Sequence, residues 1–283
     1  MLRIAVQSKG RLYEDTMALL AEAGIKVGSS KRTLLVQSSN FPVEILYLRD
    51  DDIPQSVATG VADLGIVGQN EFEERGEDAR IVRPLGFSRC RLSLAIPKNT
   101  PYPGLKWFEG KKIATSYPKI LSKWLDENNV DAEIRVILGS VEISPAAGIA
   151  DAIFDIVSSG GTLISNGLKE VHTVVESQAV LIANKKMSAP KRRLLDSMLF
   201  RFDAVIDSRG KKYILMNIPT DKVSEAVKIL PAMRSPTVMP LAAEGWCSLH
   251  SVVEEVGMWD KIEKLKALGA EGILVLHLDK VIA

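Results

Sequence analysis

Short runs of strand-type apolar residues alternate with amphipathic stretches along most of the chain. Leu2 to Val6 predicts a strand buried on both faces, and Gln7-Ser8-Lys9-Gly10-Arg11 a polar turn. Leu12, Thr16, Leu19, Leu20 and Ala23 recur at helical spacing, so a helix is expected from about Tyr13 to Ala23, stopped by Gly24. Leu34 to Gln37 and Val43 to Leu48 follow as strands, the second ending in Arg49-Asp50-Asp51-Asp52 before a short helix, Ile53 to Ala58. Asp51 or Asp52 is expected to cap that helix. Further on, Ala152 to Val157 is a short apolar run interrupted only by Asp155. Ser158-Ser159-Gly160-Gly161 then forms a turn, and Thr162-Leu163 opens a helix with Gly161 or Thr162 near its N-cap.

The pattern repeats in outline. Gly60-Val-Ala-Asp63 leads into Leu64 to Gly68, as Gly148-Ile-Ala-Asp151 leads into Ala152 to Val157. Arg3-Ile-Ala-Val and Lys112-Ile-Ala-Thr each run into a helix, the second from about Lys119 to Glu127, followed by a strand from Glu133 to Leu138. Two α/β lobes of the same build are expected. The chain should cross between them near Ser88 to Ser93 and return through strands in Val171 to Ala183, ahead of a helix within Lys185 to Phe202. Ser144-Pro145 predicts an N-capped helix. Beyond residue 208 the order becomes strand (Lys212 to Ile218), helix (Asp221 to Leu230), proline-broken loop (Pro231 to Pro240), strand (Trp246 to Glu255), helix (Trp259 to Leu268) and strand (Gly272 to Val281). That is βαββαβ-like if the middle strand bends or divides.

Composition narrows the function. A hydrophobic share of 46%, a charged share of 25% and a net charge of +1 are ordinary for a soluble globular protein, with no global field for nucleic acid or membrane. No apolar run reaches the ~20 residues of a membrane span. Met1-Leu-Arg-Ile-Ala-Val enters a strand without an apolar leader, and Cys90 and Cys247 fit no metal spacing, so a cytoplasmic location with reduced thiols is expected.

The small-residue turn at 158–161 is the clearest chemical feature. Its backbone N–H groups would suit a phosphate, and Asp155 could accept hydrogen bonds from two sugar hydroxyls. The same residues also fit an ordinary αβ turn beside a solvated acid. Lys9 and Arg11 around Gly10 could hold nucleotide phosphates or be an unremarkable surface turn. Tyr117 could stack on a base or pack on Pro118. The Lys191-Arg192-Arg193 run reads as a solvated helix face.

Glu142, Gly148, Ala150, Ile153, Asp155, Ile156 and Ser159-Gly160-x-Thr162-Leu163 stand at offsets that resemble the signature of the ATP phosphoribosyltransferase family, and Ser8-Lys9-Gly10-Arg11-Leu12 resembles its N-terminal motif. The resemblance covers essentially the whole chain and includes the C-terminal module of the long form. It implies two lobes of the type II periplasmic-binding-protein kind around a cleft (1–90 with 180–203, and 91–179), plus a C-terminal ACT-like, ferredoxin-like regulatory domain (208–283). The implied reaction joins N1 of ATP's adenine to 5-phosphoribosyl 1-diphosphate with magnesium, in the first step of histidine biosynthesis, under inhibition by histidine.

By resemblance, Asp151, Asp155, Ser158, Ser159, Gly160, Gly161 and Thr162 would meet phosphoribosyl diphosphate. Lys9, Gly10, Arg11, Arg49 and Tyr117 would meet ATP or diphosphate, with Lys9, Glu142 and Asp155 assisting catalysis and no covalent nucleophile. Other phosphoribosyltransferases carry two adjacent acids before the turn; here Asp151 and Asp155 lie four apart, which leaves open which one meets the ribose. Asn217, Thr237, Val252 and Gly272 would receive histidine, Asn217 being an amide where an acid is expected. Dimers assembling into hexamers are implied. A solute receptor or a silent regulatory subunit on the same scaffold is the rival reading. The absence of an export signal and the intact Ser-Lys-Gly-Arg and Ser-Ser-Gly-Gly-Thr stretches weigh against them.

Overall fold

The computed structural model describes residues 1–28, 33–230, 233 and 235–282. In chain order, the first sheet takes β1 (Leu2–Gln7), β2 (Leu35–Gln37), β3 (Val43–Leu48), β4 (Leu64–Gly68) and β5 (Ala79–Pro84). With them run helices α1 (Arg11–Glu22), α2 (Ile53–Ala58) and α3 (Gln69–Arg75). The second sheet takes β6 (Cys90–Pro97), β7 (Lys112–Thr115), β8 (Glu133–Val136), β9 (Ala152–Val157) and β10 (Leu168–Ser177), with α4 (Pro118–Asn128) and α5 (Gly161–Ser165). β11 (Ala179–Asn184) then returns to the first sheet, and α6 (Ala189–Ile206) follows. The last sheet holds β12 (Lys211–Pro219), β13 (Thr237–Pro240), β14 (Trp246–Glu254) and β15 (Glu271–His277), with α7 (Val223–Ile229) and α8 (Met258–Ala267).

Strand orders are β2-β3-β1-β4-β11-β5, β10-β6-β9-β7-β8 and β13-β14-β12-β15. In the first lobe β1 runs parallel to β3 and β4; in the second β7 runs parallel to β8 and β9. This is the two-lobed, type II periplasmic-binding-protein arrangement. The sequence repeat has a physical basis here. Asp63 accepts the Arg3 N–H at 2.9 Å and donates its own N–H to the Arg3 carbonyl at 2.9 Å. Asp151 does the same with Lys112, at 2.9 and 2.8 Å. Each acid clips together the amino ends of two parallel strands. Lys191 also pairs with Asp63 through both carboxylate oxygens, at 2.6 and 2.8 Å, so part of the expected solvated helix face is an anchor.

The crossing between lobes lies earlier than expected, because β5 ends at Pro84 and β6 begins at Cys90. It pairs with the return crossing through Leu85 N–H to Ala179 O at 2.9 Å and Ala179 N–H to Phe87 O at 3.0 Å. Two expectations fail locally. The helix at Ser144-Pro145 is a set of turns instead: Ala147 closes one helical bond to Ile143, and left-handed Gly148 (φ +70°) ends it. The Ser144 hydroxyl is buried and finds no hydrogen-bond partner among the described residues. Asp52 stands at the N-cap position of α2, but its side chain makes no capping bond. Asp50–Asp52 form a 3₁₀ turn, and Asp51 pairs with Arg49 and Arg75 instead.

By compactness the chain divides into Met1–Ala21 with Ile25–Leu195, and Glu22–Gly24 with Asp196–Ala283. In the second unit the sheet is antiparallel and carries its helices on one face, over Ile214, Met216, Ile218 and Leu249. The middle strand, β14, does not divide. The extra strand comes from the expected loop, where Thr237–Pro240 pairs along β14 at the sheet edge that proline tolerates. Pro231, Ala232 and Arg234 of that loop lie outside the described residues. No described helix is long and apolar enough to cross a membrane.

Asp63→Ala strips an acceptor from the Arg3 amide and from Lys191 and is expected to cost about 2–4 kcal/mol in urea unfolding. The more exposed Asp151→Ala should cost about 1 kcal/mol. Equal and negligible losses would refute the strand-clip role.

Candidate active site

Clipped at their amino ends, the parallel strands deliver their next residues together at the opposite edge, where open α/β sheets bind ligands. In the first lobe β1 delivers Ser8, Lys9 and Gly10. Gly10 holds φ +91°, which a side chain would resist, and its carbonyl accepts the Glu14 N–H at 3.1 Å. The helix α1 therefore starts at Arg11, two residues before the expected start at about Tyr13. Lys9, Gly10 and Arg11 are all exposed. In the second lobe β9 delivers Asp155 and then the turn. Gly160, not Gly161 or Thr162, is the N-cap of α5, in the left-handed conformation at φ +82°. Ser158, Ser159, Gly161 and Thr162 are exposed around it.

The lobes meet at this turn. Arg11 donates to the Ser158 hydroxyl at 3.0 Å and to the Arg89 carbonyl at 3.3 Å. From the second lobe's own sheet, Arg91 donates to the Ser158 carbonyl at 3.2 Å. The same guanidinium grips Glu170 with two further bonds. The Ser93 hydroxyl reaches Glu170 at 2.7 Å and the Thr173 hydroxyl reaches it at 3.1 Å. Arg91 and these hydroxyls hold the Glu170 carboxyl down to about 2, against a smaller opposing effect of burial.

The two candidate acids part company. Asp151 sits at the amino end of β9, bonded to the Lys112 amide. Asp155 stands four residues on, about 13 Å along an extended strand, next to the turn. Asp151 is therefore removed from the turn. Burial pushes the Asp155 carboxyl up to about 6; the Ile156 N–H it accepts at 2.8 Å opposes the rise, and the neighbouring Glu142 adds to it. Glu142, in the 3₁₀ turn Val141–Ile143, is thus close enough to be felt by Asp155.

Two other expected contacts are not assembled. Tyr117 is 8% exposed and packs in the core with Phe108, Leu121 and Trp124, so its ring is not presented for stacking on a base. Burial pushes its phenol well up. Arg49 is 79% exposed, and its described partner is Asp51, not the turn. The start of α4, which follows Tyr117, is occupied from the other lobe: Glu74, 6% exposed, accepts the Lys119 and Ile120 N–H groups at 3.0 Å each. Among the described residues no three His, Cys, Asp or Glu side chains gather as a metal site. Glu142 and Asp155 would be the carboxylates at hand for a hydrated divalent cation, which takes one or two such ligands and keeps several waters.

Sequence reasoning missed Arg91, Glu170 and Glu74. Arg91 lay inside a strand pattern, and nothing local pairs it with an acid 79 positions away.

In the C-terminal unit, register puts Tyr213, Leu215, Asn217, Thr237, His250 and Val252 on the sheet face away from α7 and α8. Asn217 lies beside Gly272 (φ +57°), where a Cβ would meet its amide nitrogen at 3.4 Å. Thr237 opposes His250, whose ring bonds the Tyr213 hydroxyl at 2.8 Å and the Ser248 hydroxyl at 2.9 Å. Val252 opposes Tyr213.

A family model described as ATP phosphoribosyltransferase matches residues 49–204, and one described as the HisG C-terminal domain matches residues 208–280. Proteins named ATP phosphoribosyltransferase from Bacteroides fragilis and Bacteroides thetaiotaomicron are each 66% identical over 282 residues, covering 100% of both chains. One from Cytophaga hutchinsonii is 52% identical, covering 99% of this chain and 98% of its own. The solved ATP phosphoribosyl transferase (HisG:HisZ) complex from Thermotoga maritima includes a chain 28% identical at a TM-score of 0.63. That match covers 73% of this chain and 99% of that one.

Asp155 supplies a pH test. Its folded value lies above that of an unfolded aspartate, so between about pH 4 and about 6 the folded chain keeps a proton the unfolded chain has released. Stability from this group falls as pH rises through that window. Asp155→Asn is expected to flatten the fall in urea titrations; an unchanged pH slope would contradict the buried carboxyl.

Proposed function

The chain belongs to the ATP phosphoribosyltransferase family, and from that premise we propose that it displaces diphosphate from C1 of 5-phosphoribosyl 1-diphosphate with N1 of ATP's adenine. The products are 1-(5-phosphoribosyl)-ATP and diphosphate, the opening step of histidine biosynthesis. The observation that carries the site assignment is the convergence of Asp155, the Ser158–Thr162 turn and Arg11 at the carboxyl ends of the strands.

The nucleophile is a neutral ring nitrogen, and the sugar carbon gains positive charge as diphosphate departs, so no protein nucleophile is required. The work of the chain is to align the reactants and stabilise the departing charge. The turn's N–H groups take the 5′-phosphate, and ionised Asp155 accepts from the ribose hydroxyls. Arg11 contributes at the Ser158 end of the turn, where it already lies. Lys9, exposed beside Gly10, faces the phosphates of ATP or diphosphate. Arg49 joins it only by leaving its bond to Asp51. Glu142 assists the ribose or the metal. Magnesium, when bound, would neutralise the leaving diphosphate. Paired crossings between the lobes provide the hinge on which the cleft excludes water.

The open sheet face of the C-terminal unit supports a regulatory role. Asn217, Thr237, Val252 and Gly272 belong to one sheet, and each lies next to a polar side chain on it. We assign histidine to this face, with contacts between subunits in a homo-oligomer, dimer to hexamer, in the cytoplasm.

Diphosphate release from purified protein should require ATP, phosphoribosyl diphosphate and magnesium together, and histidine should suppress it. No release from folded, nucleotide-binding protein would overturn the assignment; release that histidine does not suppress would overturn only the effector face. Because Asp155 must ionise to accept from two hydroxyls, the rate at subsaturating phosphoribosyl diphosphate should drop as pH falls below about 6. A rate flat across that range would remove Asp155 from the ribose.

A further inference from the structure

The turn that takes the phosphate has little of its own to fix it. Ser158-Ser159-Gly160-Gly161 carries no bulky side chain, Gly160 is left-handed, and glycine peptides reorient easily. Packing does not fill the space beside it either. A cavity of about 410 Å³ adjoins the turn, lined among others by Arg91, Ser159, Gly160, Leu163 and Glu170. On that side the turn is fastened by Arg91, which donates to the Ser158 carbonyl.

That contact has a geometric consequence. A trans peptide is planar, and its C=O and N–H point in opposite directions. Holding the Ser158 carbonyl toward Arg91 therefore turns the Ser159 N–H the other way. Were that peptide to flip, a carbonyl oxygen would replace the N–H where phosphate is to bind, and an attraction would become a repulsion. The guanidinium itself is immobilised: Glu170 grips it with both oxygens, and Glu170 is in turn held by Ser93 and Thr173. Glu170 also neutralises Arg91, so the pair brings no net charge to the phosphate.

We propose that Arg91 and Glu170 are positioning residues: Glu170 sets the Arg91 guanidinium, which fixes the Ser158–Ser159 peptide so that its N–H faces the sugar phosphate. This rests on the reading of the turn as the phosphate site. It differs from a direct electrostatic role in the sign of one effect. If Arg91 attracted the phosphate by charge, removing the Glu170 charge would strengthen binding. If Arg91 positions the peptide, Glu170→Gln loosens the guanidinium and weakens binding.

Ribose 5-phosphate and ATP binding would be measured by calorimetry on the full chain, with the thermal midpoint recorded for each variant. Glu170→Gln and Arg91→Lys are each expected to weaken ribose 5-phosphate on the order of tenfold, the scale of one hydrogen bond to a charged group. ATP affinity should stay near that of the parent, even where loss of the ion pair lowers the thermal midpoint. Once Arg91 is lysine, adding Glu170→Gln should cost little more, because the two act as one device. Tighter ribose 5-phosphate binding by Glu170→Gln overturns the proposal in favour of a charge role. Equal losses for both ligands with a lowered thermal midpoint overturn it in favour of a merely structural one. Gly160→Val, which distorts the turn, separates the two levels. If it abolishes ribose 5-phosphate binding while Arg91→Lys and Glu170→Gln bind like the parent, the turn keeps its phosphate and the positioning pair falls. If it binds like the parent, or if the parent does not bind ribose 5-phosphate, the phosphate turn and the positioning pair fall together.

Discussion

Each lobe depends on one small device: an acid that exchanges bonds with the backbone across the amino ends of two parallel strands. Asp63 does this with Arg3, and Asp151 with Lys112. A parallel pair has no hairpin to set its register, and a slip of one residue would turn every side chain to the wrong face. With the amino ends fixed, β1 and β4, and β7 and β9, arrive at the opposite edge in step. The cleft-facing turns are aligned by bonds a strand's length away.

Position along β9 decides what its two acids do. Asp151 is exposed and bonded to a backbone amide as part of the scaffold. Asp155 is drawn into a poorly hydrated place beside Glu142, where its charge is disfavoured. An acid held near the middle of the pH scale is a common mark of a working site. Ser158, a few residues on, is one place where the lobes touch: its hydroxyl meets Arg11 of one and its carbonyl meets Arg91 of the other.

Much of this was legible in the sequence. Apolar runs marked the strands because parallel strands covered on both faces read as continuous blocks, and the repeat around Asp63 and Asp151 marked two lobes of one build. The turn at 158–161 announced itself through residues that only a special backbone needs. What stayed hidden depends on long-range packing. Tyr117 follows a strand just as Ser8 does, yet it packs with Phe108 and Trp124, which no local pattern foretells. Thr237–Pro240 reads as a loop between prolines and becomes a strand only because β14 offers it an edge. The helix expected at Pro145 does not form: Ser144 closes the preceding 3₁₀ turn, makes no capping bond, and left-handed Gly148 ends the turns that follow. Arg91 and Glu170 come together through the pairing of β6 with β10, where the register is irregular between Glu170 and His172.

Glu74 carries a consequence of its own. A helix start at the carboxyl edge of a sheet is a natural receptor for a dissolved acid, and α4 offers one in the second lobe. The first lobe has filled it in advance, with a carboxylate nearly sealed from water. The protein thus carries a permanent internal rival for that berth: a free carboxylate could claim it only by evicting a tethered one at far higher local concentration. The same tether resists lobe separation, because drawing α3 from α4 would break both of Glu74's bonds to the α4 amides. Specificity is set here by what the molecule has already bound to itself.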